Sequence, residues 1–124
     1  NCSECIFQTE CLAFGQGKVS SLPIKTKKVK VKNRYLHYFV LIDDSKNTLL
    51  EKRKGKGIWQ NLYQFPLIET FEKQNNFTSQ ELELLLKKYH IEADYIMEKW
   101  NDLPVIHKLT HQLLEINFWI VRLN

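Results

Sequence analysis

The sequence predicts a single α+β domain, a mixed and mostly antiparallel sheet packed with helices and preceded by an extended basic connector. Three observations carry this. Stretches rich in β-branched and aromatic residues recur at 34–42, 91–100 and 107–123, and such residues suit the half-buried surface of a sheet. One segment, 78–89, has helical spacing of its leucines. Seven of the 18 basic residues crowd between Gly15 and Arg34 with no acidic residue among them. The chain has 124 residues, 44% of them hydrophobic, so it is the size of one domain and has enough apolar side chains to fold.

The elements follow in order. Residues 15–33 contain Lys18, Lys25, Lys27, Lys28, Lys30 and Lys32, broken by Gly15, Gly17 and Pro23, with too few large apolar groups for a core of their own. They read as a solvated connector. Val29 and Val31 alternate with Lys28, Lys30 and Lys32, a period of two that predicts an extended end with its lysines on one side. Residues 34–42 (RYLHYFVLI) read as a strand, 43–47 as a polar turn and 48–53 as a second strand, together a β-hairpin. At 57–66, Trp59, Leu62, Tyr63 and Phe65 lie between a glycine turn and a proline, a density that usually means core packing. Thr78 with Glu81 three residues on forms a capping box, followed by Leu82, Leu85 and Leu86 and closed by Lys87 and Lys88, which predicts a helix. Farther on, Leu114, Ile116, Phe118 and Ile120 alternate with Glu115, Asn117 and Trp119, which predicts a strand.

Composition also excludes. No window has the eighteen or so continuous apolar residues of a membrane span, and the first residues lack the charged start and apolar stretch of a secretory signal. A soluble, cytoplasmic chain is the expectation, with no membrane partner. The basic connector and a second cluster, Lys52, Arg53, Lys54 and Lys56, favour a polyanionic partner over a merely solvated face.

Four groups of residues bear on chemistry. Cys2, Cys5 and Cys11, spaced C-x2-C-x5-C, suggest metal ligation or free thiols more than disulfides. Zinc and [4Fe-4S] sites usually need four protein ligands, and no His or further Cys follows within twenty residues. His107 and His111 are four apart, but no glutamate follows His107 and the neighbours read as strand or loop, so a helical zinc motif is not expected. His111 stands beside Thr110 in a loop-like stretch, where imidazole and hydroxyl can offer donors and acceptors to a base edge. No nucleophile with its base, phosphate-cradling glycine loop or carboxylate pair stands out.

Taken in order, Cys2-x2-Cys5-x5-Cys11, LPIKTKKVKVKNR at 22–34, KRKGKGIWQNLYQFP at 52–66 and HKLTHQLLEI at 107–116 resemble the C-terminal part of the MutY family of adenine DNA glycosylases. The resemblance covers essentially the whole chain. It implies the end of an iron–sulfur cluster loop at 1–14, an interdomain connector at 15–33 and a Nudix-like 8-oxoguanine recognition domain at 34–124. The family's cluster ligands run C-x6-C-x2-C-x5-C, so Cys2, Cys5 and Cys11 would match the last three, and a [4Fe-4S] cluster is expected in a full-length parent but not in this fragment.

The same resemblance implies that the fragment binds double-stranded DNA carrying 8-oxoguanine opposite adenine, as a monomer, and that it does not itself cleave a glycosidic bond. The family's recognition loop, F-S-H, falls on Leu109, Thr110 and His111, and Lys25, Lys27, Lys28 and Lys30 would meet phosphates. The Nudix signature G-x5-E-x7-R-E-x2-E-E is absent after Gly57. Two alternatives stand beside this reading: a Nudix-type nucleotide hydrolase, for which Glu69 and Glu72 alone are a thin metal site, and a protein-interaction module of a repair complex.

Overall fold

In the computed structural model, which describes residues 1–24, 27–28 and 30–124, the chain divides into two units, Asn1–Lys30 and Val31–Asn124. Lys25 and the alternating Val29 lie outside the described residues. The elements in chain order are α1 (Leu12–Gly15), β1 (Lys32–Ile42), β2 (Glu51–Lys52), β3 (Tyr63–Gln64), β4 (Leu67–Thr70), α2 (Ser79–Lys88), β5 (Tyr95–Lys99), β6 (Val105–Lys108) and β7 (Gln112–Leu123). Short 3-10 turns at Cys2–Glu4 and Val19–Ser21 flank α1.

The two longest strands, β1 and β7, run in parallel from Lys32 opposite Gln112 to Ile42 opposite Arg122. Side chains alternate across a strand, so each presents two sets, and here both sets are covered. Toward one face β1 sends His37, Phe39 and Leu41, and β7 sends Trp119 and Val121; Phe77 and the α2 residues Leu82, Leu85 and Leu86 close over them. Toward the other, Leu36, Tyr38, Leu114 and Ile116 pack beneath Ile58, Trp59 and Phe65. A fully buried leucine contributes roughly 1.5–3 kcal/mol, so the three α2 leucines alone fix the helix to the sheet.

The helix starts as its sequence dictates. The Thr78 hydroxyl accepts from the Glu81 N–H at 3.3 Å, while the Thr78 N–H donates to the Glu81 carboxylate at 2.8 Å, satisfying two otherwise orphaned amides. That backbone N–H holds the Glu81 carboxyl below the usual range. At the other end Tyr89 donates to Glu51 at 2.6 Å and ties α2 to β2.

One expectation is corrected. The hairpin joining 34–42 to 48–53 does not form: only one bridge, Ile42 with Thr48, survives, and Glu51–Lys52 pairs instead with Tyr63–Gln64. One edge of β1 is taken along its whole length by β7, and the other by antiparallel β4 along Tyr35–Tyr38. The sheet is mixed and mostly antiparallel, as expected: its middle is the parallel pair of β1 and β7, and the flanking pairings, β4 on β1 and β5 and β6 on β7, are antiparallel. Parallel strands require a long crossover, here everything from β2 to β6.

β5 and β6 share one edge of β7, β6 along Leu113–Ile116 and β5 along Trp119–Leu123. At the step between them, Asn101 replaces the missing strand. Its side-chain oxygen accepts from the Phe118 N–H at 2.8 Å, and its amide donates to the Ile116 and Leu103 carbonyls at 3.2 and 2.8 Å. Every backbone group in a sheet needs such a partner.

In the N-terminal unit no described residue is fully buried. Residues 27, 28 and 30 form no strand; regular pairing begins at Lys32, whose N–H donates to the His111 carbonyl at 3.0 Å. No helix among the described residues is long and apolar enough to cross a membrane.

Candidate nucleic-acid interface

The hairpin that joins β6 to β7 turns at Leu109, Thr110 and His111. Lys108 stands opposite Leu113, and the Leu109 N–H donates to the Gln112 carbonyl at 2.8 Å, so two residues, Thr110 and His111, make the tip. Their side chains are exposed, whereas Leu109 is half-buried and packs against the core of Leu36, Tyr38, Leu114 and Ile116. The three residues of the expected recognition loop therefore divide: Leu109 anchors the turn, and Thr110 and His111 face solvent. The Leu109–Gln112 bond closes the turn, and the His111 carbonyl accepts from the Lys32 N–H of β1.

Around the tip, one end of the sheet gathers basic and polar groups. Lys108 ends β6, Lys32 begins β1 and Gln112 begins β7. A cleft of about 510 Å³ is lined by Lys32, Asn33, Arg34, Glu69, Thr70, Phe71 and Gln112. Its floor is an ion pair: Arg34 donates to both oxygens of Glu69, at 2.6 and 2.7 Å, and to the Gln112 side chain at 2.9 Å. The guanidinium holds the Glu69 carboxyl below the usual range, and the carboxylate in turn raises Arg34. Arg34, a connector cation by sequence, is thus occupied in holding β1, β4 and β7 together, while Lys32 is left exposed at the rim. Sequence reasoning did not single out Gln112; its signal was its place directly after the tip.

The second basic cluster lies on the loop between β2 and β3. Lys52, Lys54 and Lys56 are exposed, whereas Arg53 donates to Gln64 at 2.7 Å and lines an apolar groove of about 300 Å³ with Tyr38, Trp59 and Phe65. Gly57 at φ 141° and Trp59 at φ 58° bend this loop, with Asn61 donating its N–H to the Arg53 carbonyl. The dense aromatic segment is part core and part surface: Trp59 and Phe65 pack on the sheet, while Tyr63 is 70% exposed. Trp59 also approaches His107 of β6, ring centroids 5.9 Å apart, which sets this loop beside the strand that carries the tip.

Lys27, Lys28 and Lys30 are exposed; Lys25 is among the residues not described. Cys2, Cys5 and Cys11 have free thiols, and no three His, Cys, Asp or Glu residues among those described are gathered as a metal would require. The thiols as placed do not fit a complete [4Fe-4S] site. Of the two carboxylates weighed for a hydrolase, Glu69 is bonded to Arg34 and Glu72 is exposed.

A sheet with a parallel central pair, one helix across it and a loop-rich opposite face is the setting in which the comparisons with known proteins fall. A profile described as NUDIX domain matches residues 37–124, and the chain belongs to that family. The chain is also 28% identical, over 123 residues, to an adenine DNA glycosylase of Buchnera aphidicola subsp. Baizongia pistaciae, and 28% identical over 122 residues to one of Buchnera aphidicola subsp. Acyrthosiphon pisum. These alignments take in 97% and 98% of this chain but 31% of each relative's length. Together the two findings support a C-terminal domain of the MutY type.

Proposed function

We propose that this chain is the damage-recognition part of an adenine DNA glycosylase that works in base-excision repair, and that it reads 8-oxoguanine paired with adenine. The observation that carries the reading is the exposed Thr110–His111 tip, held on two strands beside a basic sheet end, in a chain similar to adenine DNA glycosylases along nearly its whole length. When 8-oxoguanine turns syn to pair with adenine, its 2-amino group faces the major groove. A lone pair on the His111 imidazole accepts from that group, and Thr110 supplies a hydroxyl that donates or accepts beside it. Thr110 carries a methyl that a serine would lack, which restricts its rotamer and sharpens the aim of the hydroxyl.

Lys25, Lys27, Lys28 and Lys30 contact phosphates, which orient the duplex without reading sequence. The catalytic carboxylates and the means of flipping adenine belong to another part of the glycosylase. On this reading the chain alone does not hydrolyse a glycosidic bond.

Fluorescence anisotropy with two matched duplexes tests the proposal, one containing 8-oxoguanine opposite adenine and the other guanine opposite cytosine. Tighter binding of the lesion duplex is expected, and equal binding overturns the reading. Across a salt series, four phosphate contacts give a slope of log affinity against log salt of about −3.6. A slope near zero removes the lysines from the account.

A further inference from the structure

We infer that Phe71 is a further DNA contact, an aromatic ring that packs on a sugar or base face of the duplex beside the Thr110–His111 tip. The inference rests on the tip being the lesion contact. Strand register supplies the placement. Thr70 stands opposite Tyr35, and β4 runs antiparallel to β1, so the next residue, Phe71, emerges at the end of the sheet where Lys32 faces Gln112. Phe71, Lys32 and Gln112 line one cleft, and the Lys32 N–H is bonded to the His111 carbonyl. Ring and tip therefore flank the same sheet end.

The ring is 101% exposed, so folding gives it none of the burial that normally accounts for a phenylalanine. Its backbone is nevertheless fixed, because the Thr70 hydroxyl donates to the Glu72 carbonyl at 2.7 Å across it. Lys32 shares the cleft with the Arg34–Glu69 pair, Glu72 beside the ring is exposed, and Lys73, 3.9 Å from Glu115, remains 62% exposed. A surface that sets one apolar ring in a cleft rimmed by the exposed Lys32, with Lys73 two residues on, suits a partner that alternates phosphate with apolar sugar and base faces. Nucleic-acid binding proteins use aromatic and apolar side chains in this way, for stacking and as wedges at base steps. Leu109 cannot serve here, since it is packed against the core. Phe71 gives this surface the exposed ring that the tip itself lacks.

The test is Phe71→Ala in the whole chain, with Phe71→Trp as the conservative partner, measured by anisotropy on the lesion and undamaged duplexes across a salt series. Because the side chain touches no core, the thermal midpoint of Phe71→Ala should match that of the unmodified chain. Loss of the ring should weaken both duplexes at least about fivefold with an unchanged salt slope, and Phe71→Trp should restore binding. Unchanged affinity of Phe71→Ala, with a lesion preference still present in the unmodified chain, overturns this inference alone. A shallower salt slope in Phe71→Ala also overturns it, because the effect would then be a lost phosphate contact. Absence of any lesion preference in the unmodified chain overturns the reading of the tip and this inference with it.

Discussion

The same two strands, β1 and β7, serve two regions with opposite properties. Under α2, Phe39, Trp119 and Val121 are sealed with Leu82, Leu85 and Leu86. At the strand ends, Lys32, Thr110 and His111 are exposed, and they are held by backbone bonds, the Arg34–Glu69 pair and the single inward-packed Leu109. One region holds the fold, and the other is free to be read by a ligand because its loss costs the fold little. Substitutions should therefore separate into those that move stability and those that move binding.

The largest effect is expected in the sealed region. Leu82→Ala removes a side chain with no exposure, and such truncations cost about 2–5 kcal/mol, the spread reflecting how far the cavity collapses. Urea denaturation should show the loss, and a change below about 1 kcal/mol would mean that α2 does not seal the sheet as described.

His37 gives the next effect, and it depends on pH. Its ring is fully buried against Phe77 and Trp119, and the indole N–H of Trp119 donates to Nδ1 at 3.3 Å. Burial, with the nearby positive charge of Lys99, pushes its pKa down to about 4 from an ordinary value of 6.5. Above pH 6.5 the ring is neutral in both folded and unfolded chains, and its contribution is complete. Between 6.5 and about 4 only the unfolded chain takes up the proton, so stability falls as pH falls, by about 3 kcal/mol at most. A His37→Leu variant should lose stability less steeply over this window, and identical slopes would show that another group sets it.

Asn101 links the two regions, since it bridges the step between β5 and the strand that carries the tip. Asn101→Ala leaves the Phe118 N–H without its partner, a cost of about 1–3 kcal/mol. Hydrogen exchange should then quicken at Phe118 before it quickens in α2. The smallest effect is a gain. His90 follows α2 at φ 57°, a left-handed conformation that glycine adopts without strain, so His90→Gly should stabilise by about 0.5–1 kcal/mol with DNA binding unaltered.

How far the sequence discloses each region follows from the range of the interactions that build it. α2 is legible because its capping box and its leucines lie within one another's reach along the chain. The strands at 34–42 and 107–123 are legible as strands, but their partners are not. What pairs with β1 is decided by β7, some seventy residues away, and local patterning favoured the adjacent segment, hence the hairpin that does not form. Arg34 reads as one more cation of the connector because nothing local marks Glu69, 35 positions on, as its partner. Thr110 and His111 are legible as a loop and, through family resemblance, as a candidate site. That Leu109 turns inward, and that β4 ends so as to leave Phe71 bare, depends on register, which no short stretch of sequence contains.

The central claim is that His111 discriminates the oxidised purine. It is tested most directly by His111→Ala in a full-length glycosylase carrying this domain, assayed for adenine removal opposite 8-oxoguanine and opposite guanine. One good base-edge contact carries about 1–3 kcal/mol of discrimination, so the ratio of the two rates should fall about fivefold to a hundredfold, mostly through the lesion substrate. Equal losses on both substrates, or no loss on either, would contradict the account.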